Sequence, residues 1–527
     1  MGKQPITKKE AEKEVRVIEE VTKDSLLNIA LDTIKINKQA LIFVSSRQSA
    51  EKTAEDIAKK IKEKLLPELA GKVLNILPRP TKQCERLSRC VEKGVAFHHA
   101  GLTAEQKELV EENFRSGRIK IICCTPTLAY GVDLPAFRAI IRDLYRYGVW
   151  GMQFIPVLDF QQMIGRAGRP GKEDFGEAIA IAKTKRDASI IIEKFFNGKP
   201  ENIYSKLAVE PVFRTYLLSL IAANFCTSKK EINDFFSRTF YAHQYRDLEK
   251  LSFIIDKMLH LLEDWRFIVS DENDFKPADN LDTTYTATLL GKRVAQLYLD
   301  PYTAHFLVES LRKIPLKRTN PFSFLHLISC CLEMRPWLKA RNNEIDSINE
   351  KIIKMHDSLL AEEPLIYEQA HEYFIDQFKT AMFFEEWINE KDEEYLLENY
   401  NIRPGEIKTK LEIADWLLYS LEEISRIMQM PSLIKELLKL RLRVKHGAKE
   451  ELLPLLRLKN IGRARARKLY ENRLRTIDDL KNIDVSSLKQ IIGEKIAENI
   501  KEQLGEEIEE VLPGRRKGQL GLGRFDD

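Results

Sequence analysis

Up to about Phe196, short apolar runs rich in β-branched residues alternate with amphipathic stretches of helical period. LIFVSS (Leu41–Ser46), IKIICCT (Ile119–Thr125), RAIIRD (Arg138–Asp143) and EAIAIA (Glu177–Ala182) are bounded by polar or Gly/Pro residues, as strands buried on both faces would be. Between them lie SAEKTAEDIAKKIKEKL and TAEQKELVEENFRSG, each opening on a hydroxyl residue suited to cap a helix. The alternation predicts an α/β, doubly wound parallel sheet over residues 1–196, with ligands bound beyond the carboxyl ends of its strands.

Past Phe196 the strand signal nearly vanishes. Residues 197–290 read as several helices followed by WRFIVSDENDFKPADNLDTTYTATLLGKRVA, whose two β-prone pieces around a polar turn suit a winged helix. From 291 to 445 long amphipathic helices dominate, among them FLHLISCCLEMRPWL and LEIADWLLYSLEEISRIM. Residues 446–510 read as a compact helical unit centred on LKNIGRARARKLYENRL. The stretch 511–527, ending GRRKGQLGLGRFDD, is a flexible basic tail too poor in apolar mass to fold alone. The expected class is therefore multidomain, α/β followed by mostly α.

Composition narrows the function classes. A chain of 527 residues exceeds what one hydrophobic core supports, so several domains are expected. The 44% hydrophobic and 31% charged fractions are those of a globular protein, and no apolar run reaches the roughly 20 residues that span a bilayer. The opening MGKQPITKKEAEKEVRV has no signal-peptide core, so a cytoplasmic location is expected. Seven cysteines include two adjacent pairs but no CxxC and no Cys/His ladder, which argues against structural zinc or a disulfide framework; no metal site is expected. A net charge of only +4 means that affinity for a polyanion has to come from local grouping of basic residues.

Four phrases fall at strand ends of the first region. LIFVSSRQSAE places Ser45, Ser46 and Arg47 after the first strand, and VAFHHAGL places His98, His99 and Gly101 after the next. CCTPTLAYGVDLPAF follows the third, and QQMIGRAGRPG precedes the last. Each alone has a bland reading as a packing residue, a cap or a basic turn. Together, and in this order, they resemble the motifs of the second RecA-like domain of superfamily 2 helicases. The likeness is to the Ski-type branch, and within it to the archaeal Hjm (Holliday-junction-migration) repair helicases, which are related to the helicase region of DNA polymerase theta. ADWLLYS, RVKHGAKEELL and IGRARARKLY are similar to that family's helical domains, so the likeness covers nearly the whole chain.

The resemblance implies a second RecA-like domain at 1–196, a winged helix at 197–290, a helical ratchet domain at 291–445 and a helix-hairpin-helix-like DNA-binding domain at 446–510. It maps the pattern QxxGRxxR onto Gln162, Gly165, Arg166 and Arg169, with both arginines facing ATP and Gln162 coupling nucleotide to nucleic acid. An arginine aimed at a γ-phosphate stabilises the charge that develops in phosphoryl transfer. Gly131 and Asp133 would lie at the nucleotide cleft, although the family more often carries Asn at the latter position. Ser46, Arg47, His99, Thr125 and Thr127 would meet a nucleic-acid backbone, hydroxyls and backbone NH groups supplying sequence-independent contacts.

A complete motor also needs a GxxxxGK[ST] loop and a DExH-type carboxylate pair. Neither occurs in this sequence: Gly291-Lys292-Arg293 lacks the upstream glycine and the hydroxyl, and Asp271-Glu272-Asn273-Asp274 sits in a polar turn. The chain therefore resembles the carboxy-terminal three quarters of the helicase. ATP and Mg²⁺ are expected to act only with the first RecA-like lobe, and the chain alone is not expected to hydrolyse ATP at a useful rate.

Further elements point to nucleic acid. The family has a strand-splitting β-hairpin where this chain has RDLYRYGVWGMQFIPVLDF, residues 142–160; Tyr145, Tyr147, Trp150 and Phe154 are its candidate stacking groups, with packing on a neighbour as the alternative. Trp416 falls where the family's ratchet helix stacks a tryptophan on bases, near Lys408 and Lys410, with Thr409 at the position of the usual arginine; a core tryptophan is the competing reading. Gly462, Arg463, Arg465 and Arg467 resemble a phosphate-binding helix-hairpin-helix, yet arginines at alternate positions cannot share one helical face. Gln519, Leu522 and Phe525 follow the spacing of sliding-clamp peptides, with Asp526 where a second aromatic is usual. The reading is the translocating, strand-separating portion of an ATP-dependent 3′ to 5′ DNA helicase, acting as a monomer on single-stranded, forked or recombination DNA. The alternatives are a non-catalytic DNA-binding or regulatory derivative and an RNA helicase of the same branch.

Overall fold

The computed structural model describes residues 17–77, 79–130, 132–148, 151–168, 174–207, 209–271, 282–365 and 367–505. The chain divides into two compact units, one comprising Met1–Ser205 with Glu393–Lys410 and the other Lys206–Asp392 with Leu411–Asp527.

The first unit is built on a five-stranded parallel sheet. Its strands are β1 (Ala40–Phe43), β2 (Val95–His98), β3 (Ile121–Cys124), β4 (Arg138–Ile141) and β7 (Glu177–Ala180), in the order β2-β3-β1-β4-β7. Leu41 stands beside both Ile122 and Ala139, so the central strands are in register and their carboxyl ends finish level. β1 to β4 are buried along their full length, which is why they read as continuous apolar runs, whereas edge strand β7 is only half-buried. One charge is threaded through this core. Fully buried Arg138 reaches Asp32 at 2.7 Å, Glu177 at 2.6 Å and Thr33 Oγ1 at 2.8 Å.

The helices start where hydroxyls can accept backbone NH groups. Ser46 Oγ accepts from Ser49 N and opens the helix Arg47–Ala58, three residues before the Ser49 start expected from the sequence. Thr103 and Gln106 form a capping box for Ala104–Arg115. Between β4 and the helix Val157–Ile164 stands the expected hairpin, β5 (Tyr145–Gly148) against β6 (Gly151–Phe154), with Gly151 at φ 90°, a conformation that favours glycine.

The second unit is mostly helical. Helices Glu210–Ala222, Lys229–Ser237, Phe240–Tyr245 and Leu248–Asp264 precede a small antiparallel pair, β8 (Ile268–Ser270) with β9 (Tyr285–Ala287), which is the winged-helix order. Longer helices follow, including Gln369–Ile388 and Pro431–His446. Helices Arg463–Glu471, Ile477–Asn482, Val485–Ile492 and Glu494–Gly505 then close around a small core of their own, from Ala448 to Ile500. Among the described residues no helix is long and apolar enough to cross a membrane.

Candidate functional site

Because β1 to β4 run parallel, the residues that leave their carboxyl ends converge. Ser45 to Gln48, Ala100, Thr125 to Thr127 and Asp143 line one open cavity of about 560 Å³, together with Arg146 and Ile155 of the hairpin region and Arg403. Hydroxyls dominate its sheet side: Thr125 Oγ1 and Thr127 Oγ1 are 2.8 Å apart, and Ser46 is exposed. Asp143 fills one corner, its Oδ2 accepting from Ser45 N at 2.9 Å and Ser45 Oγ at 3.0 Å while Arg142 clamps its carboxylate. Arg47 lines the cavity and pairs with Glu406. Burial, and then the charge of Arg403, pull its pKa below the usual guanidinium value.

Behind the cavity lies a buried cluster centred on Glu51. Its Oε1 accepts from Arg403 Nε at 3.1 Å and Gln83 Nε2 at 3.2 Å and lies 3.1 Å from His99 Nε2; its other oxygen pairs with Arg86. Burial alone would raise the Glu51 pKa, but His99, Arg403 and Arg86 hold it down at about 2. The structure thus corrects the place of His99. Its ring is buried, stacked on Phe97 with Nδ1 accepting from Gly101 N at 3.1 Å, so it braces Glu51 rather than facing a ligand. Its neighbour His98 is held on Glu111 at 2.9 Å.

The nucleotide-facing candidates occupy a second region. Arg166 follows the helix Val157–Ile164, its side chain about one-fifth exposed; Nη2 donates to Ala129 O at 2.5 Å and Nη1 lies 3.9 Å from the exposed carboxylate of Asp133. Gln162 and Gly165 are exposed on the same helical end. Gly131 and Arg169 lie outside the described residues. Asp159 ties this helix to its neighbours, accepting from Tyr130 OH at 2.6 Å and from Arg146 Nη1 of the hairpin at 3.2 Å. Tyr130 is pushed up to about 12, first by desolvation and then by that hydrogen bond.

In the hairpin, Tyr145 stacks on Phe154 at 4.2 Å, and Lys194 caps the Phe154 ring at 3.9 Å. Tyr147 lies on β5, and Trp150 is outside the described residues. On the helix Pro404–Ile427, Lys408 is exposed, but Lys410, expected beside it as a nucleic-acid contact, is buried and its pKa is lowered to about 8 by desolvation. Trp416 is half-buried and its Nε1 donates to Leu297 O at 2.9 Å, so the indole is at least partly a packing group.

Gly462 is the N-cap of Arg463–Glu471, and the three arginines divide between faces. Arg463 and Arg467, four apart, turn inward: Arg463 lies 4.5 Å over the Trp387 ring and donates to Lys391 O, while Arg467 binds Glu390 and Glu451. Arg467, committed to two carboxylates, is thereby corrected from phosphate ligand to structural anchor. Arg465 is exposed, with Nη1 on Asn460 O at 2.9 Å. Gln519, Leu522 and Phe525 lie outside the described residues. Among those residues no cluster of His, Cys, Asp and Glu is arranged to hold a metal. Motif reading missed Glu51, Asp143, Arg403 and Glu406; Arg403 and Glu406 sit some 300 residues from the strands they join, roughly the kind of separation that no local pattern carries.

Comparison with known proteins agrees with this arrangement. Residues 22–171 match the helicase conserved C-terminal domain, 176–269 a helix-turn-helix domain, 322–447 domain 4 of archaeal helicases and 452–506 a SAM-like helix-hairpin-helix tandem. The ATP-dependent DNA helicase Hel308 of Methanococcus vannielii is 37% identical over 527 aligned residues, covering 92% of this chain and 68% of the relative. The chain belongs to the Hel308 family. The Hel308 of Pyrococcus abyssi is 40% identical over 476 residues and that of Pyrococcus horikoshii 41% over 475. The chain spans about 64% of the length of these two Hel308 relatives. The four motif phrases of the first unit all fall within the helicase C-terminal match, and Trp416 and the 463–467 arginines fall within the domain 4 and helix-hairpin-helix matches.

Proposed function

We propose that this chain is the strand-tracking and strand-separating portion of an ATP-dependent 3′ to 5′ DNA helicase that works on forked or recombination DNA as a monomer in the cytoplasm. The observation that carries the reading is the cavity across the carboxyl ends of β1 to β4, where hydroxyls and arginines collect on sheet-bound loops. That chemistry suits a phosphodiester backbone and is indifferent to base sequence. Ser46, Arg47, Thr125 and Thr127 are its proposed contacts. The hairpin and Lys408 are proposed as further DNA contacts of the first unit, Trp416, Gly462 and Arg465 as separate contacts of the second, and Gln519, Leu522 and Phe525 as the segment that meets a sliding clamp.

The residues around Arg166 fit a nucleotide. Its guanidinium donates to one carbonyl and lies beside the exposed carboxylate of Asp133, with about one-fifth of the side chain exposed, which suits a cation that meets phosphate. Gln162, Gly165, Arg166 and Arg169, with Gly131 and Asp133, would hold ATP against a first RecA-like lobe, which is proposed to carry the Mg²⁺ ligands. Bound there, ATP with Mg²⁺ supplies the free energy of phosphoryl transfer. The chain's own part is to orient Arg166 from Ala129 and, through Asp159, to link that helical end to Tyr130 and the hairpin.

The test is binding of fluorescent single-stranded and forked DNA to the chain at several salt concentrations. Affinity that is independent of sequence and falls steeply with salt is expected. Binding that is absent, or insensitive to Thr125→Val with Thr127→Val, would sink the groove assignment. An RNA strand bound more tightly than DNA would favour the RNA-helicase alternative.

A further inference from the structure

A carboxylate of the chain meets two arginines that line the groove. Glu406 pairs with Arg47 through Oε1, while its Oε2 accepts from Arg403 N at 3.1 Å and lies 3.9 Å from Arg403 Nη1. Both arginines line the same cavity as Ser46, Thr125 and Thr127. They differ in depth: the Arg403 side chain is 10% exposed and Arg47 39%.

Arg403 is built in from behind. Its Nε is fixed on ionised Glu51 at 3.1 Å, and the segment around it docks backbone to backbone on the FHHAGL loop, with Gly405 N donating to Gly101 O at 3.1 Å. A Cβ on Gly101 would run into Arg403 Cδ, and one on Gly405 into the carbonyls of Leu102 and Ala100. Glycines at both positions therefore let the guanidinium reach the groove floor. Two arginines this close repel each other, which leaves the spot in need of an anion. A carboxylate meets that need with the same pair of oxygens that a phosphodiester presents to a guanidinium.

We infer that Glu406 stands in for a nucleic-acid phosphate, and that Arg403 and Arg47 form a phosphate-binding pair from which the incoming backbone displaces it. The inference rests on the groove reading above and deepens it by naming a phosphate ligand that no motif marks. Glu406 is suited to leave. Its pair with Arg47 is partly exposed, 39% of the arginine side chain and 25% of the carboxylate side chain being open to solvent, and that access screens it. Once Glu406 has turned out, the groove keeps two arginines against Glu51 and one phosphate, so no buried charge is left without a partner.

The test uses this chain and a fluorescein-labelled oligothymidylate, with anisotropy read at several salt concentrations. Glu406→Gln keeps a carbonyl oxygen for Arg403 N, and so the helix cap, but removes the charge. It is expected to raise affinity about two- to fivefold. It should also steepen the dependence of log K on log salt by about 0.7, because Arg47 no longer has to release an internal anion that then recruits a cation. Arg403→Gln should weaken binding and flatten that slope by about 0.7, with Arg403→Lys restoring the slope. If melting shows that Arg403→Gln does not fold, Glu406→Gln decides alone. Wild-type affinity and slope in Glu406→Gln would overturn the inference and leave Glu406 as a helix cap. Arg47→Ala separates the two levels. Weakened binding there, with the other variants unchanged, refutes the phosphate pair but keeps the groove; no change in any variant refutes both.

Discussion

Glu51 offers the sharpest stability test, because one buried carboxylate is held ionised by His99, Arg403 and Arg86 at once. Its pKa lies at about 2 against an ordinary 4.5. At 1.36 kcal/mol per unit this depression corresponds to about 3 kcal/mol. Arg86 is one-third exposed, so solvent screening reduces the figure to roughly 2 kcal/mol. Between these pKa values the unfolded chain binds more protons than the folded one. The contribution is therefore complete above about pH 4.5 and is lost as pH falls through about 2. Glu51→Gln removes the charge with little change of shape and leaves Arg403 facing a neutral amide. Urea unfolding followed by far-UV circular dichroism, for wild type and variant in parallel from pH 7 to pH 2.5, is the assay. The variant is expected to be less stable by roughly 2 kcal/mol at pH 7, and the gap should close below pH 4.5. A gap that stays constant across the whole pH range would refute the electrostatic account and assign the loss to packing. No gap at pH 7 would refute the role of Glu51 altogether.

Other residues give equally direct tests. Arg166→Ala, in a fusion of this chain to the segment of a longer Hel308 relative outside the match, should lower DNA-stimulated ATPase by about 10³-fold or more while DNA binding survives; retained ATPase removes Arg166 from the nucleotide site. Arg465→Ala should weaken DNA binding uniformly across sequences and flatten the salt slope by about one unit, whereas Arg467→Ala, whose partners are Glu390 and Glu451, should lower the melting temperature with little change in slope. Equal slopes in the two variants would undo the division of that helix into inner and outer faces. Arg138→Met, which strands Asp32 and Glu177, is expected to cost about 3 kcal/mol in urea unfolding; a loss below about 1 kcal/mol would show that the buried guanidinium is not what holds β4 to β7 and the helix Ser25–Lys35.

How far the sequence reads true depends on the range of the interaction. Strand positions were legible because burial on both faces of a parallel sheet demands unbroken apolar runs; β3, β4 and β7 fall inside the runs that show them, and β1 starts one residue before its run, at Ala40. Helix starts were legible to within a few residues, since both Ser46 and Ser49 can cap and only the turn after β1 selects the former. The arginines at 463, 465 and 467 were legible as divided, because a helix of 3.6 residues per turn cannot bring alternate positions together. Which of them faces inward was not, since that choice belongs to Glu390 and Trp387. The same gap explains His99 and Lys410: a polar residue looks equally available in a string of letters whether it ends up in solvent or in a core.

By itself, the sequence settled the parallel α/β beginning, the helical remainder, and the hydroxyl and arginine phrases at the strand ends, because each rests on periodicity or on spacing within a few residues. The tertiary structure alone decided that Arg403 joins the groove formed by residues from Ser45 to Asp143, that Glu406 pairs with Arg47 at its edge, that Glu51 gathers two arginines behind it, and that His99 is a brace. Burial and electrostatics act through distance in space, and Glu406 meets Arg47 only through the tertiary fold.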